Sequence, residues 1–317
     1  MFIRRLINLC LLVPALSCGP GPSVWASDHN RAVTDWSFGG HTKYQYINTR
    51  IPDNSILQGV DGAGLQEHDL EARLKVAARR ERLDFKMHAQ IIAVHSDTLA
   101  IFRSLPGLVT PGADVINDDR RWFNLTHSLG GDNKNAGLVR LDRVNIGYAN
   151  DKTVLRFGRQ AISWGNGLLF TPMDIFNPFD PAAVDKEYKS GDDMLYGQYL
   201  LDNGNDLQAV TVVRRNPVNG SVEQDQSSLA LKYHGFWGRH EYDILAAGHY
   251  GEFMLGLGAS TDRGGAVWRG DMVWSTTDQG SVFSAVAGVS YSGIAGQYNW
   301  TGFLEYYYNG FGQADGD

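Results

Sequence analysis

The chain has 317 residues, 43% of them hydrophobic and 20% charged, with a formal net charge of −7. Those proportions exclude a disordered chain, and no basic tract points to nucleic acid as a partner. No apolar run reaches the ~18 residues of a membrane helix, whereas a membrane β-barrel hides its hydrophobicity in alternation and is not excluded. The 37 glycines, 8 Trp, 14 Tyr and 14 Phe favour strands and tight turns.

Residues 1–26 read as an export signal: Arg4 and Arg5, an apolar run from Leu6 to Leu16, and Val24-Trp25-Ala26 before Ser27. A lipoprotein site at Cys18 is the rival, and Ala15-Leu16-Ser17 fits it poorly. Both cysteines, Cys10 and Cys18, lie in this segment. Residues 27–317 therefore offer no disulfide, thiol nucleophile or cysteine metal ligand.

Period-two alternation begins with Trp36, Phe38, Thr42, Tyr44 and Tyr46 on one parity. From Asp69 to Arg79 the even positions are Leu70, Ala72, Leu74, Val76 and Ala78, and the odd ones are mostly charged. From Leu83 to Ala93 the odd positions are apolar. A two-residue turn at Arg80-Glu81 would pair Ala78 with Leu83 and Leu70 with Ile91, so that apolar residues meet throughout. An amphipathic helix over Gln66 to Leu83 is the alternative, and it leaves Phe85, Met87, Ala89 and Ile91 unexplained.

The same parity places a turn at Asp151-Lys152, pairing Tyr148 with Leu155 and Ile146 with Phe157. Another at Trp237-Gly238 pairs Tyr233 with Tyr242 and Leu231 with Ile244, and sets Lys232 across from Asp243. Further alternating blocks are Leu195 to Leu200, Leu207 to Val213, Phe253 to Leu257, Ala266 to Trp274, Ser281 to Tyr291 and Tyr298 to Tyr308, which brings the count to about thirteen strands. Long connections fall near Asn48 to Glu67, Ser96 to Ala136, Trp164 to Asp192 and Asn216 to Gln226. Aromatics recur near strand ends, as in the interfacial girdles of membrane barrels, although in any one strand they also suit a secreted β-protein. The expected fold is all-β, a transmembrane antiparallel up-and-down barrel spanning 27–317.

One stretch is more specific. Leu155-Arg156-Phe157-Gly158-Arg159-Gln160 runs through Trp164-Gly165 into a loop with Asn177-Pro178 and Asp180-Pro181, and ends at Tyr188-Lys189-Ser190-Gly191-Asp192-Asp193. This segment resembles uncharacterised Gram-negative outer-membrane porins akin to the alginate-export-like group, and the strands extend the likeness loosely over residues 33–310. The resemblance implies residence in the outer membrane among lipid and lipopolysaccharide, and passage of small polar or anionic solutes. It does not carry over the natural solute or the oligomeric state. The sequence departs from such barrels in closing on Gly316-Asp317 rather than a terminal aromatic, so a longer barrel is expected. Strict alternation also turns Arg159 outward with Leu155 and Phe157; a bulge at Gly158 or a diagonal pairing with Asp142 would relieve this.

Nine histidines are present, none in a metal-ligand or catalytic motif. No Gly-x-Ser-x-Gly or phosphate loop occurs, so no enzyme activity, cofactor or metal is expected. A non-conducting structural or adhesin barrel is the principal alternative to a channel, with a barrel enzyme third. The inward parity carries Arg73, Lys75, Arg79, Lys86, Arg143 and Arg156 against Glu71 and Asp84, which predicts an anion-attracting wall unless cross-strand pairing cancels it. The loop 164–193 carries Asp174, Asp180, Asp185, Glu187, Asp192 and Asp193 against Lys186 and Lys189. It is expected to fold inward as the constriction; a lid or dimer contact is the other reading.

Overall fold

The structure is a computed structural model describing residues 34–50, 64–104, 116–178 and 188–312. The export signal read at 1–26 and the closing residues 313–317 lie outside the described residues. Fourteen strands form one antiparallel sheet. They are β1 (Asp35–Thr49), β2 (Leu65–Arg80), β3 (Leu83–Ser96), β4 (Thr126–Gly131), β5 (Asn135–Ala149), β6 (Thr153–Gln160) and β7 (Asp192–Leu200). The rest are β8 (Asp206–Val212), β9 (Ser228–Trp237), β10 (His240–His249), β11 (Glu252–Arg263), β12 (Ala266–Thr277), β13 (Gly280–Ala295) and β14 (Tyr298–Asn309). Each strand lies beside its neighbours in the chain, except that β3 pairs β5 and the short β4 adds to β5 alone. Among the described residues the sheet does not close on itself.

The thirteen strands of the main path match the alternating blocks of the sequence, and no helix forms over Gln66 to Leu83. The connection read as one loop from Ser96 to Ala136 instead contains the helix α1 (Asp97–Ser104) as well as β4. The Ser96 hydroxyl accepts the Leu99 N–H at 3.2 Å and caps α1, and Asp97 supplies an acid in its first turn.

Two turns sit one residue later than the pairing of apolar residues suggests. β2 runs through Arg80 and β3 starts at Leu83, which makes Glu81-Arg82 the turn, with Glu81 left-handed at φ 53°. Gly238-Arg239 joins β9 to β10, Gly238 has φ 66°, and His240 faces Trp237. Tyr233 therefore faces Ile244, Leu231 faces Ala246, and His234, not Lys232, lies directly across from Asp243. Backbone conformation overrides the pairing preference here: two-residue hairpins favour positive φ in the turn, which Gly238 accepts without strain. Each side chain keeps its face, because the partners move by two residues. The turn at Asp151-Lys152 stands where the sequence puts it, closed by Asn150 N–H to the Thr153 carbonyl at 2.9 Å.

The chain divides into two compact units, one of residues 1–81, 85–118 and 123–144, the other of 82–84, 119–122 and 145–317. In the second, one face of the sheet is apolar and exposed. A row of partners runs Leu155, Gly197, Ala209, Leu231, Ala246, Leu255, Trp274, Phe283 across β6 to β13. Its large members Leu155, Leu231, Leu255, Trp274 and Phe283 are all exposed. On the opposite face the row Gln208, Lys232, Leu245, Gly256, Val273, Ser284 is covered, with Lys232, Leu245, Val273 and Ser284 buried. This inverts the usual rule that charge faces water and leucine faces the core.

Candidate functional site

In the second unit, the described part of the loop 164–193 lies on the covered, polar face of the sheet. Trp164, Met173, Ile175 and Phe176 pack into one cluster with Met194, Val210, Val212, Ala230, Leu245, Ala247 and Val273. Met173 is 0% exposed and Phe176 2%. Trp164 meets Phe176 edge to face at 5.5 Å, and its indole N–H donates to Gln208 at 2.8 Å. Lys189 holds the returning end of the loop. Its ammonium donates to both oxygens of Asp174 at 2.6 and 2.7 Å and to the Ile162 carbonyl at 2.6 Å. Burial pushes the Asp174 carboxyl above its ordinary value, against the opposing pull of the Lys189 charge.

Between these anchors the tip, Asn166 to Phe170, presents five successive backbone N–H groups to two carboxylates. Asp271 of β12 accepts from Asn166 at 2.6 Å and Gly167 at 3.2 Å. Glu305 of β14 accepts from Leu168 at 2.7 Å, Leu169 at 3.0 Å and Phe170 at 2.9 Å. The Asn166 amide adds bonds to Asp271 at 2.8 Å and Asp243 at 3.3 Å. Phe170 stacks on Tyr307 with ring centroids 4.5 Å apart. Gly165 is left-handed at φ 99°, and a Cβ at Gly167 would collide with the Phe170 carbonyl oxygen, so both glycines are required by the turn.

The remaining acids of this loop divide. Asp192 takes Arg214 at 2.6 Å and Arg121 at 3.8 Å. Asp193 takes Arg159 in a two-pronged pair at 2.9 and 3.0 Å. Arg159 therefore pairs with Asp193, directly across from it, and not with Asp142. The β6–β7 register passes Gly158 without a skipped residue, and Gly158 takes φ 119°. Asp180, Asp185 and Glu187 lie outside the described residues. Arg156 lies 3.7 Å from Asp84, within the same unit.

In the first unit, Asp142 gathers Arg73 at 2.9 Å, Arg140 at 3.0 Å and Arg143 at 2.8 Å, and Arg73 also reaches Glu71 at 3.4 Å. The cross-strand pairing set against a basic wall is thus present at Arg73, whereas Arg143 pairs with its own neighbour within β5, and Arg156 has its own acid in the second unit. Lys75 shares the inward parity of β2, and Lys86, on the parity of the buried Gln90, is exposed. Arg140, Asn166, Asp271 and Glu305 are not singled out by sequence, and Asp142 is singled out only as a partner for Arg159. Asp142 lies one residue from Arg143, and only a departure from strict alternation in β5 brings both to one cluster. Among the described residues no group of three or more His, Asp or Glu side chains could hold a metal ion. Comparison with known proteins finds no matching family model and no similar curated protein.

Proposed function

We propose that the chain is an outer-membrane channel, a transmembrane β-barrel that admits small polar and anionic solutes past the constriction formed by the loop 164–193. The exposed apolar face carries this proposal. Eight neighbouring strands at ~4.8 Å spacing give the row from Leu155 to Phe283 a breadth of roughly 34 Å. Soluble monomers rarely expose an apolar patch beyond a few hundred Å². Lipid is the solvent that suits such a face, and a water-filled interior suits the charges opposite. Tight turns such as Gly238-Arg239 at one end of hairpins and the long connection between β6 and β7 agree with short periplasmic turns and long external loops. The likeness of residues 155–193 to porins points the same way. The loop side chains that cover the interior favour a restricted pore over an open one.

Planar bilayers receiving the purified full chain provide the test. Discrete conductance steps, together with fractionation of the protein into outer membranes, are the expected result. A folded, membrane-inserted protein that conducts no ions would replace the channel with a structural or adhesive barrel. A monomer soluble without detergent would remove the membrane altogether.

A further inference from the structure

We propose that Asp271 and Glu305 form a latch that pins the tip of the loop, residues 166–170, across the inner face, and that its release sets a wider conducting state. This regulatory role rests on the channel function proposed above. The loop is anchored in two physically different ways. Its root is apolar, with Trp164, Met173 and Phe176 buried in the cluster, and it stays closed whatever the tip does. The tip has little such cover: Leu168 is 47% exposed and Leu169 51%. It is held by the five N–H donations to two carboxylates, the Asn166 amide bonds and the single Phe170–Tyr307 stack.

Hydrogen bonds to an ionised acceptor are about twice as strong as neutral ones, and both acceptors here belong to strands. Gly165, left-handed and free of a side chain, sits where the buried root gives way to the tip. The fold therefore supplies a fixed base, a hinge and a polar catch. Release would withdraw Leu168, Leu169 and Phe170 from β14 and leave the Met173 cluster intact. Asp271 and Glu305 act as positioning residues, through the backbone they hold.

The test is hydrogen exchange and single-channel recording on the full-length protein and its Glu305→Gln, Glu305→Ala and Asp271→Asn variants. Amides of 166–170 are expected to exchange about tenfold faster or more in Glu305→Ala, with a smaller gain in Glu305→Gln, while β9 and β10 amides keep their protection. Conductance should rise in the same order. Unchanged exchange of 166–170 in Glu305→Ala, or acceleration spread evenly over the sheet, would overturn the latch. Local acceleration with unaltered conductance would overturn its control of the pore. Local acceleration with no conductance in any form, wild type included, would sustain the latch and reject the channel.

Discussion

Arg159 and Asp193 face each other across β6 and β7 in a two-pronged ion pair, with Arg159 0% and Asp193 1% exposed. Two charges so thoroughly removed from water depend on one another. Removing one partner leaves an uncompensated buried charge, which costs about 3–5 kcal/mol. Arg159→Met and Asp193→Asn should each lower stability by that order, whereas Arg159→Met with Asp193→Leu should recover much of the loss. Denaturant unfolding of the detergent-solubilised chain, followed by tryptophan emission, measures all three.

The loop root should respond to truncation as a core does. Phe176→Ala removes a ring that touches both Trp164 and His249, at a cost of about 3–5 kcal/mol. Solvent then reaches Trp164, so its emission should move to the red while strand content by circular dichroism stays unchanged. An unmoved emission maximum would show that the root is held without Phe176.

The helix α1 is tied to the first unit by Asp97, which accepts from Lys134 Nζ at 2.8 Å and from the Gln66 N–H at 3.0 Å. These bonds, the Lys134 contact foremost, hold the Asp97 carboxyl below its ordinary value of 3.8. A depressed folded value means that the contribution is complete above the ordinary value and is lost as pH falls through the folded one. Amide protection across 97–101 should therefore drop on acidification below pH ~4 in the wild type. Asp97→Asn should show weaker protection at neutral pH and a flatter acid response.

Lys86 is exposed, whereas Arg73 and Arg143 are paired to Asp142. Substitution should separate selectivity from stability. In the channel proposed above, Lys86→Glu is expected to move the reversal potential toward cation preference with stability within about 0.5 kcal/mol of wild type. Raising the salt should shrink the effect, because exposed charges are screened over ~8–10 Å. Arg73→Gln should instead reduce stability by disturbing the Asp142 cluster. A reversal potential indifferent to Lys86 would remove Lys86 from the lining of the proposed pore.

The alternation of Leu70 to Ala78 and of Leu229 to Tyr233 is a local signal that repeats every second residue, and signals of this kind mark the thirteen principal strands. β4 escaped because six residues ending in Gly130-Gly131 carry no alternation and pair with β5 alone. The turns at 81–82 and 238–239 were displaced by backbone geometry at Glu81 and Gly238, which side-chain pairing does not report. The partners of the loop tip were out of reach for a different reason. Asn166 and Asp271 are 105 residues apart and Leu168 and Glu305 are 137 apart, and nothing local in either segment announces the other.

That separation also sets an order of assembly. From β6 to β14 each strand pairs with the one before it, so each hairpin can form as soon as its own two strands are available. The bonds from Leu168, Leu169 and Phe170 to Glu305 close a span of well over a hundred residues and need β14 in place. The docking of the tip thus waits on β14, and Glu305 serves as a molecular signature that the meander has reached that strand.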